Sequence, residues 1–413
     1  MAKIRLEKLF GQCVRTSAAK YTTRHLIGFR GQKSYARLIR LLRRKGIKPV
    51  KALRSSRVIC CYVDARQLRS KVRAASDIAG IKFIEKDAKV RAHALAPAGR
   101  TGRVRTRSAA VCPDNAPWNV CRVQAPDAWK RTEGSGVRVA VIDTGIAKHN
   151  DLTIAGGVNT TDGSSYYDDN GHGTHVAGII AATGDGGMQT GVAPKASLFA
   201  IKALDKEGLG YISDIVQGIN WCIRNNIHII NMSFGLMPGE QSAALQDSIQ
   251  KAYKKGIVIV ASAGNSGSDS GEIDEPACFP ETIAVAASTR NDEIASFSSR
   301  GKGIDITAPG SLIRSTVLHN GYQYMSGTSM ACPHVAGGAA LLLAAESSLA
   351  PAEVSAKLQA WAKSLAGYNE LAQGTGLLQL AEIGAIDNAA AAGRSGRVKR
   401  RPRRTVKKRK TKA

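Results

Sequence analysis

Residues 137–143 read VRVAVID. Apart from Arg138 and the closing acid the run is apolar and mostly β-branched, the composition of a strand buried on both faces. Working outward, SLFAIKAL (197–204), IHIINMSF (227–234), GIVIVASAG (256–264) and TIAVAAS (282–288) are runs of the same kind. Between them SDIVQGINWCIRNN (213–226) and ALQDSIQKAYKKG (244–256) place apolar residues at helical spacing. Continuous apolar strands alternating with helices predict an α/β fold with a predominantly parallel sheet covered on both faces. Such sheets carry their chemistry at the carboxyl ends of the strands.

Polar residues beside glycines mark those ends. Asp143 closes the first strand, His172 lies in NGHGTH (170–175), Asn265 follows a strand in AGNSG (263–267), and Ser329 precedes the apolar stretch MACPHVAGGAALLLAA (330–345). A serine hydroxyl attacks only when a base takes its proton, and near neutrality that base is usually histidine. A carboxylate fixes the tautomer of the imidazole and stabilises its charged form. A helix N-terminus and a side-chain amide are suitable donors to a developing oxyanion. His175 and His334 read as structural.

VAVIDTGI (139–146), GHGTHVAG (171–178), ASAGNSG (261–267) and SGTSMACPHVAG (326–337) resemble the signatures of subtilisin-like serine proteases, the subtilase family; NMSFG (231–235), FSSRG (297–301) and ITAPG (306–310) add to the match. The order Asp, His, Ser is that of subtilisins. The resemblance spans about 112–365. It implies a serine endopeptidase acting on protein or peptide substrates. Asp143 is implied as orienter, His172 as base and then acid, Ser329 as nucleophile, and Asn265 with the Ser329 amide as oxyanion hole.

It also implies that an extended peptide adds as a strand, between Ser233-Phe234-Gly235 on one side and Gly208-Leu209-Gly210 on the other. Asp274, just before Glu275-Pro276, falls in the region of the primary specificity pocket, where an acid favours Lys or Arg. A structural calcium ion is implied at Asp114, Asp151 and the loop Thr183, Asp185, Gly187 and Gln189, a set of hard oxygen donors.

The net charge of +27 is unevenly placed. Residues 1–110 carry 29 Lys/Arg against 5 Asp/Glu, residues 391–413 carry 12 Lys/Arg and no acid, and the stretch between them is acidic, with 18 against 27. The aromatic–basic interleaving of a nucleic-acid platform is missing. The alternatives to an active protease are a catalytically silent protein of the same fold, or a polyanion binder acting through the basic tail. Residues 23–94 alternate strand and helix signals like a small ferredoxin-like α+β unit. They resemble the subtilase propeptide, most closely in Ile81–Ala94. That implies a zymogen whose basic N-terminal unit inhibits the acidic body by filling its groove. The expected organisation is a basic extension (1–22), the propeptide (23–94), a linker with the processing region (95–111), the peptidase (112–390) and a basic tail (391–413). Arg100, Arg103, Arg105 and Arg107 offer cleavage sites in the linker.

The cysteines have no zinc spacing. Cys112 and Cys121 can bridge, although connectivity is not readable from sequence. No apolar run has the length of a membrane span, and the N-terminus lacks the apolar core of a secretory signal. A cytoplasmic monomer is therefore expected, with non-classical release as the other route. Cys60-Cys61 and Trp221-Cys222-Ile223 resemble intracellular AprX-like members.

Overall fold

The computed structural model describes residues 10, 13–15, 17–64, 66–68, 80–93, 112–114, 116–185, 190–236 and 240–386. The basic N-terminal unit is a five-stranded antiparallel sheet of β1 (Val14–Arg15), β2 (Thr22–Phe29), β3 (Lys51–Leu53), β4 (Val58–Asp64) and β5 (Ile81–Lys86), with helix α1 (Gln32–Arg44). Alternation along β4 explains its two faces. Ile59, Cys61 and Val63 point to a core with Leu38, Leu41 and Leu42 of α1. Val58 and Cys60 point the other way, into the core of the following domain. Phe10, Cys13 and Val14 belong to the first of these cores. The expected boundary at 22/23 therefore lies inside the unit. Most of the helix expected over 65–80 lies outside the described residues, as do residues 95–111 and 391–413.

β6 (Lys89–Ala92) leaves this unit. The next domain is built on seven parallel strands in the order β15-β14-β13-β11-β7-β9-β8. These are β7 (Arg138–Asp143), β8 (Ile154–Asn159), β9 (Ser197–Lys202), β11 (Ile229–Met232), β13 (Val258–Ser262), β14 (Ile283–Ser288) and β15 (Ile306–Pro309). Val139 and Val141 of β7 pack with α2 (His172–Ala181) and α5 (Thr328–Ala345). Ala140 and Ile142 pack on the opposite face with α3 (Ile212–Arg224) and α4 (Ala243–Tyr253). The first strand, central in the sheet, is thus buried on both sides. α5 is apolar on every side because it runs through the core, with 83% of it buried.

The N-terminal unit lies on α3 and α4. Leu26, Phe83 and Ala88 join the cluster of Ile212, Ile219 and Leu245. Lys51 pairs with Asp214, Lys82 with Asp247 and Lys86 with Glu240. The basic unit thus meets the acidic body through direct ion pairs. Cys112 and Cys121 are joined as a disulfide.

Candidate active site

Asp143 ends β7 with no exposure. Its Oδ1 accepts from the Thr144 amide at 2.7 Å and from His172 Nδ1 at 2.8 Å. His172 opens α2, and Asp168 sets that turn by accepting from the amides of Gly171 and Thr174 at 3.0 Å each. Burial disfavours the charged imidazole. The charge and hydrogen bond of Asp143, helped by Asp168, outweigh it and raise the His172 pKa above the ordinary value. His172 Nε2 is buried and without a hydrogen-bond partner.

Ser329 lies in the first turn of α5, which starts after Gly327. Its Oγ donates to the Ser233 carbonyl at 2.8 Å, not to the imidazole. Asn265 follows β13, and its Oδ1 accepts from the amide and hydroxyl of Thr328 at 2.9 Å each. Those bonds fix the amide so that Nδ2 points outward. Nδ2 donates to the His93 carbonyl at 2.9 Å, and the Ser329 amide reaches the same oxygen at 3.4 Å. Two donors from different elements thus converge on one carbonyl oxygen of the N-terminal unit.

The approach to that point is a strand. β6 pairs antiparallel with β10 (Leu209–Tyr211) and with β12 (Phe234–Leu236). Leu209 faces Arg91 and Gly210 faces Val90 on one side; Phe234 faces Ala92 and Gly235 faces Arg91 on the other. The Ala92 amide donates to the Gly208 carbonyl and the His93 amide to that of Ser233, at 3.1 Å each. All six groove residues named from the sequence therefore touch the inserted segment. Asp274 does so through its side chain, 2.8 Å from His93 Nε2.

His175 and His334 play other parts. His175 Nε2 lies 3.1 and 3.0 Å from the carbonyls of Ile313 and Gln323, and burial lowers its pKa to about 3. His334 contacts Asn119 and the Met330 carbonyl, and burial lowers its pKa to about 4.

A match to the subtilase (peptidase S8) family model covers residues 134–377. The chain belongs to the subtilase family. Subtilisin BL of Lederbergia lenta is 45% identical over 257 residues, 62% of this chain and 94% of that protein. Subtilisin Savinase of the same organism is 44% identical over 257 residues, with the same two coverages. The thermostable alkaline protease of Halalkalibacterium halodurans is 48% identical over 228 residues, 55% of this chain and 62% of that protein. This subtilase is accordingly a subtilisin-like serine endopeptidase, a hydrolase of peptide bonds.

Four residues with a part here were not singled out in the sequence: His93 and Ser262, which meet in the groove, and Glu85 and Asp87, which join the N-terminal unit to α4 and α3. Glu85 and Asp87 carried a signal, as acids two apart in a segment otherwise rich in Lys and Arg. His93 stands in Ile81–Ala94, the stretch that the resemblance to the propeptide implies for the groove, but with no role of its own; Ser262 carries no signal, because its meaning depends on the side chain that docks against it. The processing region is expected at 95–111. The carbonyl held by Asn265 and Ser329 belongs to His93, ahead of that range. Arg100, Arg103, Arg105 and Arg107 lie outside the described residues.

The implied calcium set is only partly gathered. Asp151 is fully buried, takes the hydroxyl of Tyr322, and accepts the Thr183 amide at its carbonyl at 2.9 Å. The Asp185 amide reaches Thr183 Oγ1 at 3.3 Å. Asp114 is exposed in a turn, and Gly187 and Gln189 lie outside the described residues. Among the described residues no three His, Cys, Asp or Glu side chains gather in a metal-binding group.

Proposed function

We propose that this subtilase is made as a zymogen whose N-terminal unit, ending at β6, blocks its own groove as a bound substrate does. The observation that carries the reading is the His93 carbonyl, held between Asn265 Nδ2 and the Ser329 amide at the end of a paired strand. In the proposed reaction Ser329 Oγ leaves the Ser233 carbonyl and turns to His172 Nε2. It gives up its proton there and bonds to the carbonyl carbon of the peptide. The oxygen takes the negative charge and strengthens its bonds to Asn265 and the Ser329 amide. Collapse breaks the C–N bond, and His172 passes the proton to the leaving amine. Water, activated by the same imidazole, then releases the acid from Ser329. Asp143 holds Nδ1–H throughout.

A fluorophosphonate probe tests the reading. It is expected to label the protein once the chain has shortened, and not before. A full-length chain that labels at once would show that the N-terminal unit does not block the site.

Asn265→Ala removes one of the two oxyanion donors. Turnover is expected to fall by about 10²–10³, the size measured for the corresponding amide in a subtilisin, with KM nearly unchanged. Steady-state kinetics on a peptide reporter decide it; a loss confined to KM would mean ground-state binding only.

The raised pKa of His172 sets the acid limb of the pH profile. The base works only when neutral, so kcat/KM is expected to rise with pH through a midpoint above about 6.5, the ordinary value. Release of the N-terminal unit opens the site to water and weakens the opposing effect of burial, so the direction persists in the processed enzyme. A midpoint below that value would mean that burial outweighs the pull of Asp143 on the imidazole.

Calcium is proposed at the loop that starts at Thr183, against Asp151. Asp151 and Asp185 bring carboxylates to that loop, hard donors of the kind that ion takes. Bound calcium would tie the loop to the domain and take no part in the chemistry. EDTA is expected to lower the Tm of the processed protein by about 5–10 °C, the size for a ligand near 100 times its Kd. An unchanged Tm removes the ion.

A further inference from the structure

His93 is held by its ring as well as by its carbonyl. Nδ1 lies 2.7 Å from Ser262 Oγ, and Nε2 donates to Asp274 Oδ2 at 2.8 Å. The side chain is only 10% exposed, so these contacts replace water at both nitrogens. Ser262 is the last residue of β13, and the Asp274 amide donates to the Ala263 carbonyl at 2.9 Å, which ties the acid's loop to the end of that strand. The two contacts therefore come from one rigid wall.

Glycine makes the room. A Cβ on Gly235 would run into the imidazole ring, and one on Gly264, at φ +115°, would lie 2.7 Å from Asp274 Oδ2. The ring fits because of the first, and the carboxylate reaches it because of the second. Ser262 serves either charge state of the ring, since a hydroxyl donates to a neutral Nδ1 and accepts from a protonated one. A side chain without N–H groups would cover the Asp274 carboxylate and offer it nothing. A site built to hydrogen-bond its ligand discriminates strongly against analogues that lack the partner. Asp274 keeps 31% exposure, so water softens that penalty.

We propose that Ser262 and Asp274 form a two-point receptor for a nitrogen-bearing side chain at the cleaved position, histidine first and then lysine and arginine. The first bond cut in this chain is then His93–Ala94. Ser329 Oγ bonds to the His93 carbonyl carbon, the bond to the Ala94 nitrogen breaks, and the serine proton passes through His172 to that nitrogen. Water then completes the His93 carboxylate. This inference rests on Ser329 acting as the nucleophile.

The test uses the full chain, its His93→Phe and Asp274→Asn variants and the double variant. Intact mass followed over time reads the first cut, and the processed wild-type and Asp274→Asn enzymes are compared on reporter peptides with His, Lys, Arg, Phe or Leu at the cleaved position. The wild-type chain is expected to yield a new N-terminus at Ala94, and His93→Phe to slow that cut about 10- to 100-fold, the worth of one charge-assisted hydrogen bond. The same preference for His over Phe is expected in kcat/KM on the peptides and should shrink about tenfold in Asp274→Asn, which keeps an acceptor oxygen and Ser262 but loses the charge. A first N-terminus elsewhere, or equal His and Phe rates in the wild-type enzyme, overturns the inference. So does a preference that Asp274→Asn leaves undiminished. The peptide comparison does not depend on how well the His93→Phe chain folds. Fluorophosphonate labelling separates the two readings: a labelled enzyme without the preference sinks this inference alone, whereas an enzyme that neither labels nor cleaves sinks the protease roles and this inference with them.

Discussion

Ser329→Ala is expected to give a full-length chain that neither shortens with time nor takes a fluorophosphonate. The Oγ removed is the atom that would attack, and no neighbouring group replaces it. In subtilisins loss of the nucleophile costs about 10⁶ in turnover, and that figure is carried over from those enzymes. The fold should tolerate the change. The lost bond to the Ser233 carbonyl is worth about 1 kcal/mol, and that oxygen keeps the His93 amide at 3.1 Å. The variant should therefore purify as the intact complex, with β6 still in the groove. His172→Ala should fail to process to a similar degree, and the double variant should be no worse than either single one, because the two act as a unit. Mass and labelling followed over hours decide it. Labelling of the Ser329→Ala chain at any other serine would move the nucleophile.

The sheet was legible where strands are long and apolar. β7, β9, β13 and β14 fall inside runs 137–143, 197–204, 256–264 and 282–288. β8 was not read, because Gly156 and Gly157 dilute its apolar signal; β15 was not, because it is short and ends on Pro309. The run 227–234 reads as one strand but splits at Ser233 into β11 and β12. The first half belongs to the parallel sheet. The second turns out of it to pair with β6, some 140 residues away in sequence, a partner that no local pattern announces and that only the resemblance to the subtilase propeptide implies. The site follows the same rule. Asp143, His172, Asn265 and Ser329 stand in glycine-marked motifs at element ends, so local sequence names them. His93 and Ser262 acquire meaning only when a distant segment docks. The β-α-β-α-β reading of the N-terminal unit likewise missed β1 and β3, which are too short to show a period and are fixed by pairing with β4.

Asp87→Ala is expected to free the site about 10²- to 10⁴-fold sooner after the chain is cut. Asp87 is a buried carboxylate at the joint between the two parts. Its Oδ1 accepts from the Ser213 amide at 2.9 Å, and its Oδ2 accepts from the Ser213 hydroxyl at 2.9 Å and from Arg24 at 2.8 Å. Ser213 stands in the first turn of α3, so the acid meets unpaired amides at the positive end of a helix. Removing it takes the acceptor from the Ser213 amide and hydroxyl, the two bonds by which Asp87 crosses the joint, and each hydrogen bond to a charged group is worth about 1.5–3 kcal/mol; Arg24, on the same unit as Asp87, keeps Ser213 Oγ at 3.0 Å and the Tyr211 ring. Glu85 plays the same part at α4, accepting from Ser242 Oγ at 2.7 Å and from the amides of Ala243 and Ala244 at 2.9 and 3.1 Å. Glu85→Gln keeps part of those bonds and should hasten release about tenfold. Lys86 pairs with Glu240 at the exposed rim, and Lys86→Ala should change release little. The interval between cleavage, read by mass, and probe uptake measures each variant, and Asp87→Asn, which keeps the shape and loses the charge, guards against a folding defect. If Lys86→Ala acted as strongly as Asp87→Ala, long-range attraction of a basic unit to an acidic body would hold the parts together. The steep ranking expected here instead places the grip in two carboxylates, Asp87 buried and Glu85 half-buried, each seated on a helix N-terminus.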